Sequence, residues 1–252
     1  MPYTDNDGTR IRYEVEGSGH PLILQHGMFW DLEGWERWGY ADSLKRDFQL
    51  VLVDARGHGG SAKPHEPSAY TLCNHVADIV AVLDALEIPS AYYCGFSMGG
   101  WIGFGMAVLA EERIRAAVIG GAHPYGRKLP EGSRLDGTNP EQFLDRFFER
   151  QGIDRAQMEP AKMAEFVNND FQAIAAAQQD RETLEPSLAS IEIPVLLYAG
   201  ESDGGFAQVK RCATQLPNAE FVSLPGLNHP ESFYQSELVL PEVLPFLLAQ
   251  QG

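Results

Sequence analysis

A Gly-x-Ser-x-Gly pattern at residues 95–99 constrains the fold of this chain more than any other segment does. A short apolar run precedes the pattern, and a helical pattern from Trp101 to Leu109 follows it. A serine in so tight a strand-to-helix turn needs small neighbours, and Gly95 and Gly99 let the strand and the helix approach closely. The helix that follows directs free N–H groups and a partial positive charge at the turn. The segment therefore predicts that Ser97 is a nucleophile.

Length and composition limit the classes of protein to which the chain can belong. Its 252 residues are 44% hydrophobic, which fits one globular domain with an inserted subdomain. The formal net charge of −16 repels phosphates, so we expect neither nucleic acid nor a membrane surface as a partner. The start of the chain lacks the basic and apolar pattern of a signal peptide, and no stretch is apolar enough to span a bilayer. We therefore expect a cytoplasmic protein, and a homo-oligomer is compatible with the sequence.

The three cysteines indicate neither a disulfide framework nor a zinc site. They are odd in number, lie far apart and form no Cys-x-x-Cys pair, which favours a reducing compartment. No close group of His, Cys and carboxylate residues resembles a metal site, and we expect neither a metal nor a cofactor. The cysteines are Cys73, Cys94 and Cys212.

Short apolar runs alternate with helical patterns along most of the chain. Continuous apolar runs are typical of strands buried on both faces of a parallel sheet. The alternation predicts an α/β fold with a mostly parallel, doubly wound sheet covered by helices on both faces. Residues 9–16 instead alternate polar and apolar side chains, which indicates a half-buried strand in a hairpin with residues 2–4. The apolar runs lie at residues 21–25, 50–53, 116–119 and 195–198, and the helical patterns at residues 35–45, 70–86, 207–216 and 232–248.

The stretch from residue 123 to residue 186 interrupts this alternation. We predict that it forms an inserted helical cap, and that residues 1–122 and 187–252 form the core. The aromatic face of the cap can pack on the core or line a pocket, and its sequence leaves both open. Phe143, Leu144, Phe147 and Phe148 share one face of a first predicted helix, and Met163, Phe166, Val167, Phe171 and Ile174 suit a second.

A base and an acid that could serve Ser97 follow two later strands. A serine hydroxyl is a weak nucleophile unless a base takes its proton, and a carboxylate usually orients that base. His229 follows the predicted strand 220–224, and Asp203 follows the strand 195–198. The carboxyl ends of strands in an open α/β sheet form the ligand site, so these side chains are expected to meet there. Glu201 is an alternative acid.

Four further segments, in this order, resemble motifs of the α/β-hydrolase family, and the resemblance covers nearly the whole chain apart from the cap. They are residues 26–28, 54–61, 200–203 and 228–230. The resemblance implies that Ser97 attacks a carbonyl carbon, that His229 transfers the proton and that Asp203 orients His229. It also implies that the backbone N–H groups of Met98 and of Met28, or alternatively Phe29, form the oxyanion hole.

The remaining charged and histidine residues near these motifs have less specific interpretations. His26 is interpreted as a structural residue that holds the oxyanion loop. For His123, contact with the substrate and packing at a hinge remain open. We interpret His58, His65 and His75 as solvated or structural, and Asp54 and Arg56 as a support for the loops.

A serine nucleophile argues against the dehalogenases and epoxide hydrolases of this family, which use aspartate. The elbow and the short cap resemble those of small carboxylesterases and of 3-oxoadipate enol-lactonase-like hydrolases. The resemblance implies hydrolysis of a small-molecule carboxylic ester or lactone through an acyl-enzyme. The alternatives are a carbon–carbon bond hydrolase with the same triad and, from another class, a ligand-binding receptor with slow turnover. The residues expected around the substrate are Met28, Phe29, Trp30, Met98, His123, Phe143 and Phe147.

Three basic residues near the predicted cap entrance, Arg127, Lys128 and Arg134, could assist an anionic substrate. The acidic surface as a whole gives such a substrate no electrostatic help. We favour the interpretation of these residues as a solvated loop.

Overall fold

The computed structural model describes residues 2–131, 134–151 and 154–251. Its centre is an eight-stranded sheet. The strands are β1 (Tyr3–Asn6), β2 (Thr9–Gly17), β3 (His20–Gln25), β4 (Phe48–Val53), β5 (Ala91–Phe96), β6 (Ile114–Gly120), β7 (Val195–Gly200) and β8 (Ala219–Leu224). Their spatial order is β1-β2-β4-β3-β5-β6-β7-β8. The first two pairings are antiparallel and the others are parallel, which confirms the predicted α/β fold with a mostly parallel sheet.

Ten α-helices accompany the sheet in the described part of the chain. They are α1 (Gly34–Arg37), α2 (Tyr40–Leu44), α3 (Leu72–Ala85), α4 (Met98–Leu109), α5 (Pro140–Gln151), α6 (Pro160–Val167), α7 (Phe171–Ala177), α8 (Phe206–Ala213), α9 (Glu231–Tyr234) and α10 (Ser236–Ala249). Among the described residues, none of the helices combines the length and the apolar character that crossing a membrane requires.

Two apolar layers enclose the sheet, one on each face. Every residue of β5 and β7 is buried, as their continuous apolar sequences predict. Successive side chains of a strand point to opposite faces, so Ile23 belongs to the layer that contains α3 and α4. Leu22 and Leu24 belong to the opposite layer, with residues of α2 and α10. The carboxyl ends of the parallel strands therefore form one edge of a sheet that is packed on both faces.

Three of the predicted helices are each divided in the structure, two of them outside the segment between β6 and β7. The single helix expected at residues 35–45 is wrong, because Gly39 adopts a φ of 81° and separates α1 from α2. The single helix expected at residues 232–248 is also wrong, since Gln235 has a ψ of 64° and separates α9 from α10. The short α9 inserts Phe233, which is fully buried, against the ring of Trp30 with 4.6 Å between the ring centroids.

Helices α5, α6 and α7 lie between β6 and β7 in the chain and form an apolar cluster that also includes Phe29. Its buried members include Phe143, Leu144 and Phe148 of α5. The second helix expected over Met163 to Ile174 is wrong. Helix α6 ends at Val167, which is 41% exposed, and the Asp170 carboxylate accepts the Ala173 N–H at the start of α7. An N-cap aspartate thus starts a new helix where apolar periodicity alone indicated continuity.

The expected division into a core of residues 1–122 and 187–252 and a cap of residues 123–186 stays a prediction. Residues 1, 132–133, 152–153 and 252 of those ranges lie outside the described residues.

Candidate active site

Ser97 occupies a strained turn between β5 and α4. Its φ is +54°, which is rare for a residue with a side chain, and its backbone N–H donates to the carbonyl of Gly120 at 2.8 Å. A Cβ atom on Gly99 would lie 2.0 Å from the carbonyl oxygen of Gln25, and one on Gly95 would lie 2.4 Å from the carbonyl oxygen of Gly99. The two glycines flanking Ser97 are therefore required by space, and the surrounding strands hold the turn in its strained conformation.

Three side chains form a continuous hydrogen-bonded series at the carboxyl ends of the strands. The Oγ atom of Ser97 lies 2.8 Å from Nε2 of His229, and Nδ1 of His229 lies 2.6 Å from Oδ2 of Asp203. Asp203 follows β7 and His229 follows β8, as the sequence predicts. The alternative acid Glu201 is exposed and accepts a hydrogen bond from Ser223 at 2.8 Å, so it does not take part in the series.

The Asp203 carboxylate has the electrostatic environment of an ionised group. Burial raises its pKa, but the hydrogen bonds from His229 and from the Gly205 N–H outweigh burial and leave the pKa below its usual value. An ionised Asp203 accepts a hydrogen bond from the Nδ1–H of His229, which keeps that proton on Nδ1. The lone pair of Nε2 is then directed at the hydroxyl of Ser97.

Two backbone regions lie close enough to Ser97 to provide oxyanion donors. Met98 is the first residue of α4, so its N–H has no acceptor within the helix. The loop at Gly27 also approaches Ser97, since a Cβ atom on Gly27 would lie 3.4 Å from the Cβ atom of Ser97. This loop continues through Met28 to Phe29, which has a φ of +72°. The choice between the N–H groups of Met28 and Phe29 as second donor stays a prediction.

A buried polar network holds this loop from below. Nδ1 of His26 donates to the carbonyl of Gly27 at 2.7 Å, and Nε2 of His26 accepts the Ala55 N–H at 3.1 Å. The Asp54 carboxylate accepts the Leu32 N–H at 2.7 Å. These contacts agree with a supporting function for His26 and Asp54.

The other histidines assigned to the loops and to α3 do not join the series. His58 and His75 are buried, and desolvation lowers the pKa of His58 to about 3 and that of His75 well below its usual value. His65 is exposed and contacts the carboxylate of Asp170 at 3.0 Å. Arg56 forms a buried ion pair with Asp78 at 2.6 Å, which anchors its loop to α3.

A cavity of about 440 Å³ opens beside Ser97 and His229. Of the pocket residues that the sequence predicts, five line this cavity: Met28, Trp30, Met98, His123 and Phe147. Phe29 and Phe143 do not, and this part of the prediction is wrong. Both are 3% exposed, and their rings pack against each other in the apolar cluster of α5, α6 and α7, with 6.3 Å between the centroids.

The cavity has further lining residues that sequence reasoning missed or undervalued. Arg127 and Lys128 line it, although we favoured a solvated loop for both. Arg134 instead pairs with Asp180 at 3.1 Å. Gln178, Arg181 and Gln208 also line the cavity and were not predicted. These three residues belong to no sequence motif. They line the cavity because the tertiary fold brings them there, so the sequence alone does not indicate them.

The described residues contain no group of three or more His, Cys, Asp or Glu side chains arranged to hold a metal ion.

The comparisons with known proteins agree on one family. A family model described as the alpha/beta hydrolase fold matches residues 20–171. The chain is 25% identical to 3-oxoadipate enol-lactonase 1 of Acinetobacter baylyi, over 92% of this chain and 93% of that one. It is 27% identical to a non-heme haloperoxidase of Rhodococcus erythropolis, over 98% and 99% of the two chains. A solved hydrolase structure from Pseudomonas aeruginosa superposes with a TM-score of 0.85 at 26% identity, covering 98% of this chain and 97% of that one.

Proposed function

The chain belongs to the α/β-hydrolase family, and we propose that it is a serine hydrolase that cleaves a small carboxylic ester or lactone through an acyl-enzyme. The observation that carries the proposal is the series from Asp203 through His229 to Ser97, with contacts of 2.6 and 2.8 Å. Nucleophile and base at this separation are within reach of direct proton transfer.

In the first half-reaction, the Oγ atom of Ser97 attacks the carbonyl carbon of the substrate while its proton passes to Nε2 of His229. The ionised Asp203 stabilises the imidazolium that forms. The oxyanion of the tetrahedral intermediate accepts hydrogen bonds from the N–H of Met98 and from an N–H of the Met28 or Phe29 peptide. One such donor contributes on the order of 3 kcal/mol of transition-state stabilisation.

Collapse of this intermediate breaks the bond to the alkoxy oxygen, which takes the proton from His229. An ester then releases an alcohol, whereas a lactone leaves its new hydroxyl group on the acyl chain. In the second half-reaction His229 takes a proton from water, the hydroxide oxygen bonds to the acyl carbon, and Ser97 regains its proton as the acid leaves.

Two observations support an ester or lactone as the substrate. The cavity of about 440 Å³ matches the size of small-molecule sites, and Trp30, Met98 and Phe147 give it apolar walls. A relative matched over nearly the whole chain is a 3-oxoadipate enol-lactonase. Another is a non-heme haloperoxidase, so the family alone does not select the reaction and the substrate must be tested directly.

The test is a stopped-flow assay with 4-nitrophenyl acetate, butyrate and octanoate. We expect turnover in which the preferred acyl length reports the depth of the cavity, and a burst of nitrophenolate wherever deacylation is the slower step. Mass spectrometry after treatment with a fluorophosphonate should find one adduct, on Ser97.

Ser97→Ala should lose the adduct and reduce turnover by several orders of magnitude. Ser223→Ala is the matched control, because Ser223 is exposed and its hydroxyl donates to Glu201, which lies outside the hydrogen-bonded series. It should retain wild-type activity. Absence of turnover on all three esters would contradict simple ester hydrolysis and would favour the carbon–carbon hydrolase and receptor alternatives.

A further inference from the structure

The cavity beside Ser97 has a basic wall, although the chain as a whole carries a formal net charge of −16. Arg127, Lys128 and Arg181 all line it. Of the lining residues that the structure describes, only Asp203 carries a carboxylate, and that carboxylate is hydrogen-bonded to His229. The charge of this cavity is therefore opposite to that of the protein around it. We call Arg127, Lys128 and Arg181 the cationic wall.

Backbone pairing holds the two arginines of the cationic wall side by side. The N–H of Arg127 donates to the carbonyl of Arg181 at 2.9 Å, and the N–H of Arg181 donates to the carbonyl of Arg127 at 2.8 Å. The guanidinium of Arg181 lies 4.4 Å from the ring centre of Trp101, which limits its rotamers. One Nη atom of Arg127 donates to the carbonyl of Gln179 at 3.4 Å. The arginines are thus partly ordered before any ligand binds.

The residues of the cationic wall line the same cavity as Ser97, Asp203 and His229. His123 also lines this cavity, and its ring is near Gly205, two residues after Asp203. Burial lowers the pKa of His123, and the charges of Arg181 and Arg127 lower it further, against the opposite effect of Asp203. The charges of both arginines therefore act on a residue close to Asp203.

We propose that the cationic wall binds a carboxylate on the ligand, so that the preferred substrates are small esters or lactones that also carry a free carboxylate. The substrate class rests on the ester or lactone hydrolysis proposed above. Guanidinium groups match the geometry of a carboxylate and form charge-assisted hydrogen bonds with it.

The neighbouring Arg134 has a different environment and provides a matched control. It pairs with Asp180, whose carboxylate also accepts the Leu129 N–H at 2.9 Å. Arg134 is not among the lining residues of the cavity. Replacing Arg134 changes the net charge by the same amount as replacing Arg181, but leaves the cationic wall intact.

The experiment compares two substrates of equal acyl length, mono-4-nitrophenyl adipate and 4-nitrophenyl hexanoate. The acyl chain of the adipate ends in a carboxylate, whereas that of the hexanoate ends in a methyl group. We expect the ratio of their kcat/KM values to favour the adipate in the wild type, and to fall about tenfold or more in Arg181→Gln, as loss of a hydrogen bond to a charged group implies. Lys128→Gln, at an exposed position, should lower the ratio without disturbing packing. Arg134→Gln should leave the ratio at the wild-type value.

Calorimetry with adipate separates this inference from the proposed function. Adipate should bind the wild type more weakly at high salt, because added ions screen the attraction, and should bind Lys128→Gln and Arg181→Gln more weakly than Arg134→Gln. If neither ester is hydrolysed but adipate binds in this pattern, the carboxylate site stands and ester hydrolysis fails. If hexanoate is hydrolysed and neither variant changes the ratio, hydrolysis stands and the cationic wall is overturned as a carboxylate site.

Discussion

The side-chain amide of Asn169 donates a hydrogen bond of 3.0 Å to the backbone carbonyl of Phe29, which joins the segment before α7 to the loop beside Ser97. The same amide group contacts the carbonyls of Glu165 at 2.7 Å and of Phe166 at 3.3 Å. Phe29 has a φ of +72°, a conformation that its surroundings must maintain. Asn169 therefore connects the helices between β6 and β7 to the candidate oxyanion loop.

We expect Asn169→Ala to lower kcat by about tenfold while changing KM little. The reason is that an oxyanion donor acts on the transition state more than on the bound substrate, so a misplaced loop costs rate and not affinity. Steady-state kinetics with a 4-nitrophenyl ester measure the two constants separately. Asn168→Ala, at the exposed neighbouring position, should match the wild type. A purely structural function for Asn169 would instead lower thermal stability and leave the kcat of the folded enzyme unchanged.

Asp203→Asn tests the orientation of His229. An asparagine amide can donate to Nδ1 of His229, and the proton would then reside on Nε2, where it blocks acceptance of the Ser97 proton. We expect kcat to fall by about four orders of magnitude, the scale of a wrong imidazole tautomer in such a triad. Active-site titration with a fluorophosphonate would slow in parallel.

Glu201→Gln is the control for that substitution, since Glu201 lies two residues away and contacts Ser223 at the surface. Its activity should stay within twofold of the wild type. A large loss in Glu201→Gln with a small loss in Asp203→Asn would reverse the assignment of the acid.

The parts of the fold that sequence predicts well are those that depend on local composition. Strands such as β5 and β7 are buried on both faces, so their apolar runs are informative without knowledge of their neighbours. The turn at Ser97 is equally local, because Gly95 and Gly99 are required by the approach of adjoining elements. The approach of Asp203 to His229 follows from the position of each residue after a parallel strand.

Features that depend on distant parts of the chain were missed or assigned wrongly. Phe29 and Phe143 have the composition of pocket residues, yet each is enclosed by the other and by neighbouring rings. Arg181 carries no motif and reaches the cavity through its backbone pairing with Arg127. Apolar periodicity does not register a left-handed residue such as Gly39, which separates α1 from α2.

Because His58 is buried, we expect the free energy of unfolding to depend on pH. The pKa of His58 in the folded state is about 3, against 6.5 for an unperturbed histidine. Above pH 6.5 neither state binds the proton. Below pH 6.5 the unfolded chain binds a proton that the folded protein rejects, so the free energy of unfolding falls as the pH decreases towards 3. One such group contributes up to about 1.4 kcal/mol per pH unit.

Urea unfolding at pH 7.5, 6.5, 5.5 and 4.5 measures this dependence. Nδ1 of His58 donates to the carbonyl of Arg56 at 3.1 Å, and glutamine is a neutral residue that can also donate. We expect His58→Gln to be less stable than the wild type at pH 7.5 but to lose less free energy between pH 6.5 and 4.5. Equal losses in the two proteins would contradict the assignment of this pH dependence to His58.

Two glycines of the site, Gly99 in α4 and Gly204 after β7, test how tightly the turn at Ser97 is packed. A methyl group on Gly99 would lie 2.0 Å from the carbonyl oxygen of Gln25 and 2.8 Å from that of His26. Both contacts are with backbone, so relief requires α4 to move away from β3, and Met98 and Ser97 move with it. A methyl group on Gly204, next to Asp203, meets no atom within 4 Å.

We expect Gly99→Ala to lower the free energy of unfolding by about 3 kcal/mol, at the upper end of overpacking costs. The folded fraction should also lose at least tenfold in kcat, since both Ser97 and an oxyanion donor are displaced. Gly204→Ala should keep wild-type kcat and stability within about 0.5 kcal/mol, as for other surface substitutions. Urea unfolding and ester kinetics on the two variants make the comparison, and a Gly99→Ala protein with wild-type kcat would show that the close contact of α4 with β3 is not needed to position Ser97.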